Sequence, residues 1–383
     1  MKSSVCSLCP AEARTAAPRH GKRARRARFQ AGVALITVLL IVFLASIAAT
    51  SLAALQQRAI RRSAVLLHQQ QARLYTLGVE QWALIILARD RQQNETDHPG
   101  EEWANLPPAL PIEGGALTAR ITDLQGCFNL NNLWRPTPGE QTTDPNAPPE
   151  NPDPNNPPDP NDPEATAPKP DPNQPKLPKP AKSGGKAGLE PAQVKMLQRL
   201  LEGLELKPAL AQAIADWIDP DPDLQFPDGA EDSDYNILNP PYLAANRPFL
   251  GVAELRLLKG VDREAYDKLA PLVCALPPGT PLNVNTAQAP VLAALSEELK
   301  PAELERLLED RPAEGYKNVD EFLNAAKINA VEAPVKALLS TDSQYFLLRA
   351  EVRVGDGRAM LYSTLYRDEN GVRVLRRAFA PQD

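Results

Sequence analysis

The sequence predicts an α+β protein in which one long N-terminal helix packs on a small antiparallel sheet and a large all-α domain is inserted between the strands. Three observations lead to this prediction. A long apolar run near the N-terminus continues into a helical pattern, and segments of alternating apolar and polar residues lie near residue 120 and after residue 344. A proline-punctuated block with helical periodicity separates these two strand regions.

The apolar run has the length and composition of a membrane-spanning helix. Residues 29–57 contain no charged side chain, and four arginines precede them between positions 23 and 28. About 20 apolar residues cross the hydrocarbon core as a helix, and flanking arginines stay on the cytoplasmic side. Three interpretations fit this pattern: a cleaved secretory signal, a signal anchor, or a leader cut on the cytoplasmic side of the run. A secretory signal would have a shorter apolar region, of about 7 to 15 residues.

Helical character continues beyond the membrane segment. Residues 56–91 contain no proline and one glycine, Gly78, and their apolar side chains form a stripe among polar ones. We therefore expect a single helix over residues 33–91. A signal anchor followed by a separate amphipathic helix is the alternative.

The strands of the predicted sheet come from two distant parts of the chain. Residues 116–124 alternate as a strand does, and so do residues 344–354, 359–366 and 371–379. Turn sequences at 355–357 and 368–371 join the last three segments into antiparallel hairpins.

Between the strand regions lie a proline-rich segment and a helical block. Prolines make up 17 of the 46 residues from Arg135 to Pro180, so this segment lacks the apolar residues of a core and is expected to be a solvated linker. Recognition of this segment by a partner domain is the alternative. The helical block is expected to contain short helices at 190–203, 208–218, 252–259, 263–275, 287–299, 302–310 and 319–326.

Charge and histidine content limit the function classes. Residues 1–32 hold eight Lys or Arg and one acid, which leaves 34 bases against 47 acids, a net charge of −13, for the remainder. Nucleic-acid binding needs clustered bases, so this acidic body argues against it and favours calcium as a partner. Histidines occur at His20, His68 and His98, in positions unsuited to a catalytic base, and no phosphate-binding loop is present. We predict that the protein is not an enzyme.

One acidic segment is a candidate calcium site. Acids on alternate residues, with prolines and Gly229 turning the chain between them, bring hard oxygen ligands together for Ca²⁺. The spacing does not match an EF-hand, because Leu224 and Ala230 occupy the positions of the glycine and the bidentate glutamate. A solvated acidic loop is the alternative. The candidate ligands are Asp219, Asp221, Asp223, Glu231, Asp232 and Asp234.

The four cysteines fall on both sides of the apolar run. Cys127 and Cys274 follow it, so export would place them in an oxidising space where they could form one long-range disulfide. Cys6 and Cys9 precede it as an isolated pair, with no second pair that would make a metal site.

The junction before the apolar run resembles a prepilin leader. Gly32 lies immediately before the hydrophobic segment that begins at Val33, and in prepilins a dedicated peptidase cuts after this glycine while the apolar helix remains. Most pilin-like chains carry a glutamate at mature position five, where this chain has Thr37. In pilin-like filaments this buried glutamate meets the amino terminus of a neighbouring subunit, which a subunit at the filament tip lacks. Thr37 removes a carboxylate that would go unpaired at such a tip.

A second resemblance bears on nucleic acids. Residues 283–288, 306–311 and 319–323 resemble a helix-hairpin-helix segment of DNA uptake proteins. The expected Gly-x-Gly hairpin is absent, and Glu297, Glu298, Glu303 and Glu305 occupy the stretch where it would lie. A membrane-anchored nucleic-acid-binding protein is therefore the alternative function, but no nucleic acid is expected as a partner.

Taken in order, several short stretches resemble the general secretion pathway protein K family, the large minor pseudopilin of type II secretion systems. Members of this family also lack the glutamate at mature position five. The matching stretches are Cys-Phe-Asn-Leu-Asn at 127–131, Ala-Asp-Trp-Ile-Asp at 215–219, Glu-Asp-Ser-Asp-Tyr at 231–235, Tyr-Leu-Ala-Ala-Asn at 242–246, Leu-Val-Cys-Ala-Leu at 272–276 and Asp-Ser-Gln-Tyr-Phe at 342–346.

The resemblance implies a pilin-like fold with an inserted α domain, SAM-like or helix-hairpin-helix-like, that binds structural calcium. It also implies the Cys127–Cys274 disulfide, cleavage by prepilin peptidase, methylation, and a place at the tip of the pseudopilus with other minor pseudopilins. The chain would be a single-pass protein of the bacterial inner membrane with its body in the periplasm. Its expected divisions are a leader (1–32), a transmembrane helix (33–57), a spine with the first strand (58–134), a proline-rich insertion (135–185), the α domain (186–340) and the C-terminal strands (341–383).

Overall fold

The computed structural model describes residues 30–135, 188–299, 301–328 and 331–379. Residues 1–29 and 136–187 lie outside these residues, and they include most of the leader and nearly all of the proline-rich segment. The chain divides into two compact units, Met1–Ala64 and Val65–Asp383.

The N-terminal helix α1 spans Gln30–Gln93, 64 residues, so the prediction of one continuous helix is confirmed. The chain contains no proline from Gln30 to His98, and therefore nothing interrupts the hydrogen-bond ladder. The apolar side chains of α1 in the first unit are exposed, and the helix is long and apolar enough to cross a membrane.

The strands of the described residues fall into one five-stranded sheet and three short pairs. In chain order they are β1 (Leu110–Ile112), β2 (Gly115–Asp123), β3 (Phe128–Asn129), β4 (Trp134–Arg135), β5 (Gly188–Leu189), β6 (Val273–Cys274), β7 (Leu282–Asn283), β8 (Leu339–Ser340), β9 (Tyr345–Val354), β10 (Gly357–Asp368) and β11 (Gly371–Phe379).

The large sheet has the order β1-β2-β9-β10-β11, and every neighbouring pair is antiparallel. The four predicted strands are confirmed, whereas β1 was not expected. It pairs with β2 through a turn at Gly114, whose φ of 77° favours glycine.

The helices after α1 are short. They are α2 (Pro191–Gly203), α3 (Leu210–Ile218), α4 (Asp232–Tyr235), α5 (Arg263–Leu269), α6 (Ala289–Ala293), α7 (Pro301–Glu309), α8 (Val319–Ala325) and α9 (Ala333–Lys336).

Each of the seven predicted helices has a helical counterpart in the same order, with differences at the ends. The segment predicted at 252–259 is a 3₁₀ helix, Val252–Leu257. Helix α5 ends at Leu269 rather than at 275, because Pro271 has no amide hydrogen with which to continue the helical hydrogen bonds, and the chain then enters β6. Helix α6 is shorter than the predicted 287–299 and carries Pro290 in its first turn. The helices α4 and α9 and the short strands were not predicted.

Two large apolar cores, with two smaller clusters, hold the second unit together. In the first, Val79, Ala83 and Ile86 of α1 recur at helical spacing and pack on the inward residues of the sheet, such as Ile121 and Leu348. The second core lies within the helical domain, which comprises α2 to α9, and contains fully buried Leu197, Ile214, Leu255 and Phe322.

Short parallel pairs connect the helical domain to the chain on either side of it. Strand β3 pairs with β6, and β7 pairs with β8. The buried amide of Asn131 strengthens the first connection: its Nδ2 donates to the carbonyls of Phe249 at 3.0 Å and Leu276 at 2.8 Å, and its Oδ1 accepts from the Phe249 amide at 2.7 Å.

Candidate functional site

The acidic segment begins where α3 ends. Asp219 is the C-cap residue of α3 and is fully buried, and Glu231, immediately before α4, is 3% exposed. All four carboxylate oxygens of these two residues are buried without a hydrogen-bond partner in the protein. Buried carboxylates are strongly disfavoured unless hydrogen bonds, counter-charges or a metal ion satisfy them. The pair therefore has the chemistry of a cation site.

Burial and mutual repulsion act together on these acids. Burial is the main cause of a pKa of Asp219 raised to about 7, and the neighbouring charges of Asp221, Asp216 and Glu231 contribute to the same rise. Burial likewise raises the pKa of Glu231 to about 7, with Asp216 and Asp232 as the next contributors. Both acids thus lie within a common negative field that a divalent cation would neutralise.

Asp216 fixes the loop between the two buried acids and was not among the predicted ligands. Its carboxylate accepts hydrogen bonds from the amide of Gln225 at 3.1 Å and from the amide of Ala230 at 2.7 Å. Gly229 makes this close approach possible, since a Cβ there would lie 2.1 Å from Oδ2 of Asp216. The loop from α3 to α4 is therefore folded around one carboxylate.

The other predicted ligands occupy more open positions. Asp221 is half-buried and accepts from the amide of Asp223 at 3.0 Å, and Asp223 itself is exposed. Asp232 accepts from the amide of Ala244 at 2.9 Å. Asp234 pairs with Lys259 at 2.8 Å and accepts from the amide of Glu231 at 3.4 Å. Through these contacts the carboxylates of Asp221, Asp232 and Asp234 help to hold the loops.

Asn246 is a candidate ligand that the sequence analysis missed. Its Oδ1 is buried without a partner, as are the oxygens of Asp219 and Glu231, and its backbone φ is 45°. The residue lies two positions beyond Ala244, whose amide is bonded to Asp232. Amide oxygens are ordinary Ca²⁺ ligands. The sequence carries a signal for Asn246, because this residue ends the stretch at 242–246 that resembles the protein K family.

A separate group of acids comes closer together. Among the residues that the structure describes, one ligand oxygen from each of Asp90, Asp97 and Glu101 lies within 4.8 Å of the others. Arg367 occupies this site: Nη1 donates to Asp90 at 2.8 Å and Nη2 donates to Oδ1 of Asp97 at 2.6 Å. The indole of Trp103 donates to Glu101 at 2.5 Å. This group is a satisfied ion-pair network in which a guanidinium takes the place of a metal ion.

The two body cysteines lie side by side as free thiols. Cys127 immediately precedes β3 and Cys274 is the last residue of β6, and Sγ of Cys274 lies 3.6 Å from the carbonyl oxygen of Cys127. Burial is the main cause of a raised pKa for the Cys274 thiol, with Cys127 as the second. The structure thus places the predicted disulfide partners next to each other without joining them.

The predicted processing and assembly residues all lie near the start of α1. Gly32 and Val33 are in its first turn. Thr37 is exposed, and its hydroxyl donates to the carbonyl of Ala34 at 2.9 Å. This bond satisfies the hydroxyl within the helix, so that Thr37 leaves neither a charge nor an unpaired donor on an apolar surface.

Comparison with known proteins identifies the family. Residues 126–278 and 282–342 match two family profiles, both described as Type II secretion system (T2SS), protein K. A type II secretion system protein K from Pseudomonas aeruginosa is 37% identical over 363 residues, 91% of this chain and 93% of that protein. The chain belongs to the type II secretion system protein K family.

Further relatives agree with this assignment. A protein K from Aeromonas hydrophila is 32% identical over 91% of this chain and 97% of that protein. A solved structure, the GspK-GspI-GspJ complex from the enterotoxigenic Escherichia coli type 2 secretion system, contains a chain that aligns with a TM-score of 0.62 and 27% identity. The alignment covers 84% of this chain and all of that one.

In this protein K family member, the segment that resembled a DNA-binding motif has a structural role. Asn283 is fully buried, and its Nδ2 donates to Asp123 at 3.1 Å and to Ser343 at 2.8 Å. Asn285 is also fully buried and donates to the carbonyl of Tyr316 at 3.0 Å. Side chains used in this way do not face a nucleic acid, and the relatives give the nucleic-acid alternative no support.

Proposed function

We propose that this chain is a minor pseudopilin that acts at the tip of a periplasmic pseudopilus, where it initiates or caps assembly together with other minor pseudopilins. The membership of the chain in the protein K family carries this conclusion. The solved relative was crystallised as a complex of three proteins, which supports partners of the same kind here. The role is assembly rather than catalysis.

We propose that the membrane helix anchors the protein once in the inner membrane, with the body in the periplasm. Prepilin peptidase would cut between Gly32 and Val33 on the cytoplasmic side, and the new N-terminus would be methylated. The position of Gly32 at the start of α1, just before the stretch that is long and apolar enough to span a membrane, supports this assignment. Thr37 at mature position five suits a subunit without a neighbour above it, because it adds no unpaired carboxylate.

Calcium is the proposed structural cofactor of the helical domain. Asp219, Glu231 and Asn246 would bind the ion, since their buried oxygens have no partner in the protein. Asp221 and Asp223 would complete the site from the open side, while Asp216, Asp232 and Asp234 hold its loops. Bound calcium would supply the positive charge that the buried acids lack.

The pair Cys127 and Cys274 is proposed to form a disulfide in the periplasm. Its support is the placement of both residues at the β3–β6 pair. The bond would fasten the helical domain to the chain that leaves the sheet.

We also retain the divisions of the chain at residues 32, 57, 134, 185 and 340 as proposals. The described helices α2 to α9 lie between residues 191 and 336, and the last three strands follow, which supports an insertion between strands. A relation of the inserted domain to SAM-like or helix-hairpin-helix-like folds is supported by short helices such as α6 and α7 that pack together.

The test of the proposed function uses the full chain in cells with and without prepilin peptidase. N-terminal sequencing is expected to give Val33 with the peptidase and Met1 without it. The processed protein should copurify with the other minor pseudopilins of the same system. Recovery of an uncut leader in cells that contain the peptidase would contradict the proposal.

A further inference from the structure

The side of the five-stranded sheet that faces away from α1 carries a concentration of arginines. At one end of this side Tyr345 and Tyr366 are buried against Cys274 and Leu276, and the rest is more open. We define the arginine face as the outward arginines of β2, β9, β10 and β11. Strand register places them on one side of the sheet, opposite the side that packs on α1. The arginine face consists of Arg120, Arg349, Arg353, Arg358, Arg373 and Arg376.

The register brings these arginines close together in rows. Arg120 is directly opposite Arg349, which is opposite Tyr362. Arg353 is opposite Arg358 on the next strand. Directly opposed residues of antiparallel strands share a face, at a strand spacing of about 4.8 Å. The guanidinium groups therefore form a compact array.

Acids on this side of the sheet neutralise only part of the charge. Glu351 accepts from Arg353 at 2.9 Å and lies 3.2 Å from Arg358, and the Arg353 hydrogen bond is the main cause of its lowered pKa. Asp368 lies 3.2 Å from Arg373. Two carboxylates thus face six guanidinium groups.

Two of the arginines lack a counter-charge within the described part of the chain. Arg120 and Arg376 are exposed and have no ion-pair partner among the residues that the structure describes. Arg349 approaches the ring of Tyr362, with 5.9 Å between its Cζ and the ring centroid. Like charges placed directly opposite each other, as in Arg120 and Arg349, destabilise a sheet. Repulsion within the arginine face therefore destabilises the isolated protein, and an outside partner of opposite charge would relieve it.

The surroundings of the arginines favour a protein as that outside partner. Half-buried Leu347, Met360 and Tyr362 lie among them on the same side of the sheet, and arginine, tyrosine and methionine together are enriched at protein interfaces. The guanidinium fork matches a carboxylate bidentately. Phosphate recognition commonly adds backbone amides at a loop or helix end, whereas this surface is the flat side of a sheet.

We propose that the arginine face is a docking surface for a carboxylate-rich surface on another protein of the secretion machinery. This inference rests on the proposed function. It is separate from the calcium site, because it uses the sheet and not the helical domain. It also differs from the body as a whole, which carries a net charge of −13 after residue 32, from 34 bases against 47 acids.

The test uses the full chain expressed in cells together with the complete secretion machinery. A photoreactive benzoylphenylalanine replaces Thr118, which is exposed beside Arg120 and opposite Glu351. The face variant combines Arg120→Glu with Arg349→Glu. The matched control combines Arg263→Glu with Arg306→Glu, which changes the charge equally at side chains of α5 and α7 that are 94% and 81% exposed.

We expect crosslinking to a protein segment that contains clustered Asp or Glu. The crosslink yield should fall by about tenfold or more in the face variant and remain unchanged in the control, since only the former reverses charges in the interface. Lys substitutions at the captured acids should restore the yield in the face variant. This charge exchange is the decisive result, because a general folding defect would not be rescued by a partner substitution.

Several outcomes would overturn the inference. They are an unchanged yield in the face variant, an equal loss in the control, failure of the charge exchange, or face-dependent retention of the full chain on duplex DNA or anionic vesicles instead of protein. Processing to Val33 and copurification with minor pseudopilins are measured in the same cells. Their absence in the wild type would remove the proposed function, whereas their presence with unchanged crosslinking would remove only the arginine face.

Discussion

Arg367 and Asp97 form a buried ion pair that links β10 to the segment after α1. The Nη2 atom donates to Oδ1 of Asp97 at 2.6 Å, and both side chains are almost fully buried. Arg367 also donates to Asp90 at 2.8 Å and to the carbonyl of Ser343 at 2.8 Å. One side chain thus joins α1, the loop beyond it and the C-terminal strands.

Replacing Arg367 should destabilise the protein severely. Arg367→Met leaves Asp90 and Asp97 buried without their counter-charge, and we expect the free energy of unfolding to fall by about 3 to 5 kcal/mol. Denaturant unfolding of the full chain in detergent measures this change. The control Arg349→Met, on the outward side of the same sheet, should alter stability by less than about 0.5 kcal/mol. Equal effects of the two substitutions would contradict the assigned role of Arg367.

The same network predicts how stability changes with pH. Burial raises the pKa of Asp97 from 3.8 to about 7, outweighing the lowering effect of Arg367. Between these values the folded protein binds a proton that the unfolded chain has released, so stability from this group is present at low pH and is lost as pH rises through 7. Unfolding measured from pH 5 to pH 8 should show a shallower decline for Asp97→Asn than for the wild type. Identical slopes would exclude a titrating Asp97.

Calcium should stabilise the wild type and not a variant that lacks the buried acids. In Asp219→Asn with Glu231→Gln, chelated protein should melt at or above the wild-type temperature, because two unpartnered buried carboxylates become neutral. Calcium at 100 times its dissociation constant should add about 2.7 kcal/mol to the wild type only. Thermal melts with calcium and with chelator measure this difference. The control Asp228→Asn, at an exposed position in the same loop, should keep the response, and a wild type indifferent to calcium would refute the site.

Oxidation of Cys127 and Cys274 should raise stability. The two residues are 147 positions apart, and closing so long a loop restricts the unfolded chain, for a gain of about 2 to 4 kcal/mol. Periplasmic protein should resist thiol alkylation until it is reduced, and Cys127→Ser or Cys274→Ser should match the reduced wild type in stability. Cys6→Ser with Cys9→Ser is the control, since both lie in the proposed leader. Alkylation of the folded, unreduced protein at both body cysteines would contradict the disulfide.

The periodic parts of the fold were predictable from sequence because their signals are local. A period of two with glycine-containing turns predicts β9, β10 and β11, and an uninterrupted run without proline predicts α1. The alternation of side chains along β10 also indicates that Arg367 lies on the same, buried side of the sheet as Leu361 and Leu365. The two-residue strands carry no such signal, since they form only where distant segments meet.

The candidate site was predictable in part, for the same reason. Alternating acids at Asp219, Asp221 and Asp223 mark the segment, but their order of burial does not follow from spacing. Asp216 and Asn246 acquire their roles from loops that fold back on the chain. The amides of Gln225 and Ala230, for example, reach Asp216 from 9 and 14 positions away. Net charge likewise conceals the arginine face, because an average over the acidic body removes a local excess of the opposite sign.

The pairing of β2 with β9 determines when the sheet is completed during synthesis. Asp123 at the end of β2 contacts Ser343 just before β9, and these residues are 220 positions apart. Contacts between such distant parts of a chain form slowly, because a long loop must close before they stabilise anything. The edge of β2 that pairs with β9 therefore stays unpaired while the helical domain emerges and folds. An unpaired strand edge is prone to aggregation, so the last three strands of the chain, within its final 40 or so residues, determine when this edge becomes protected.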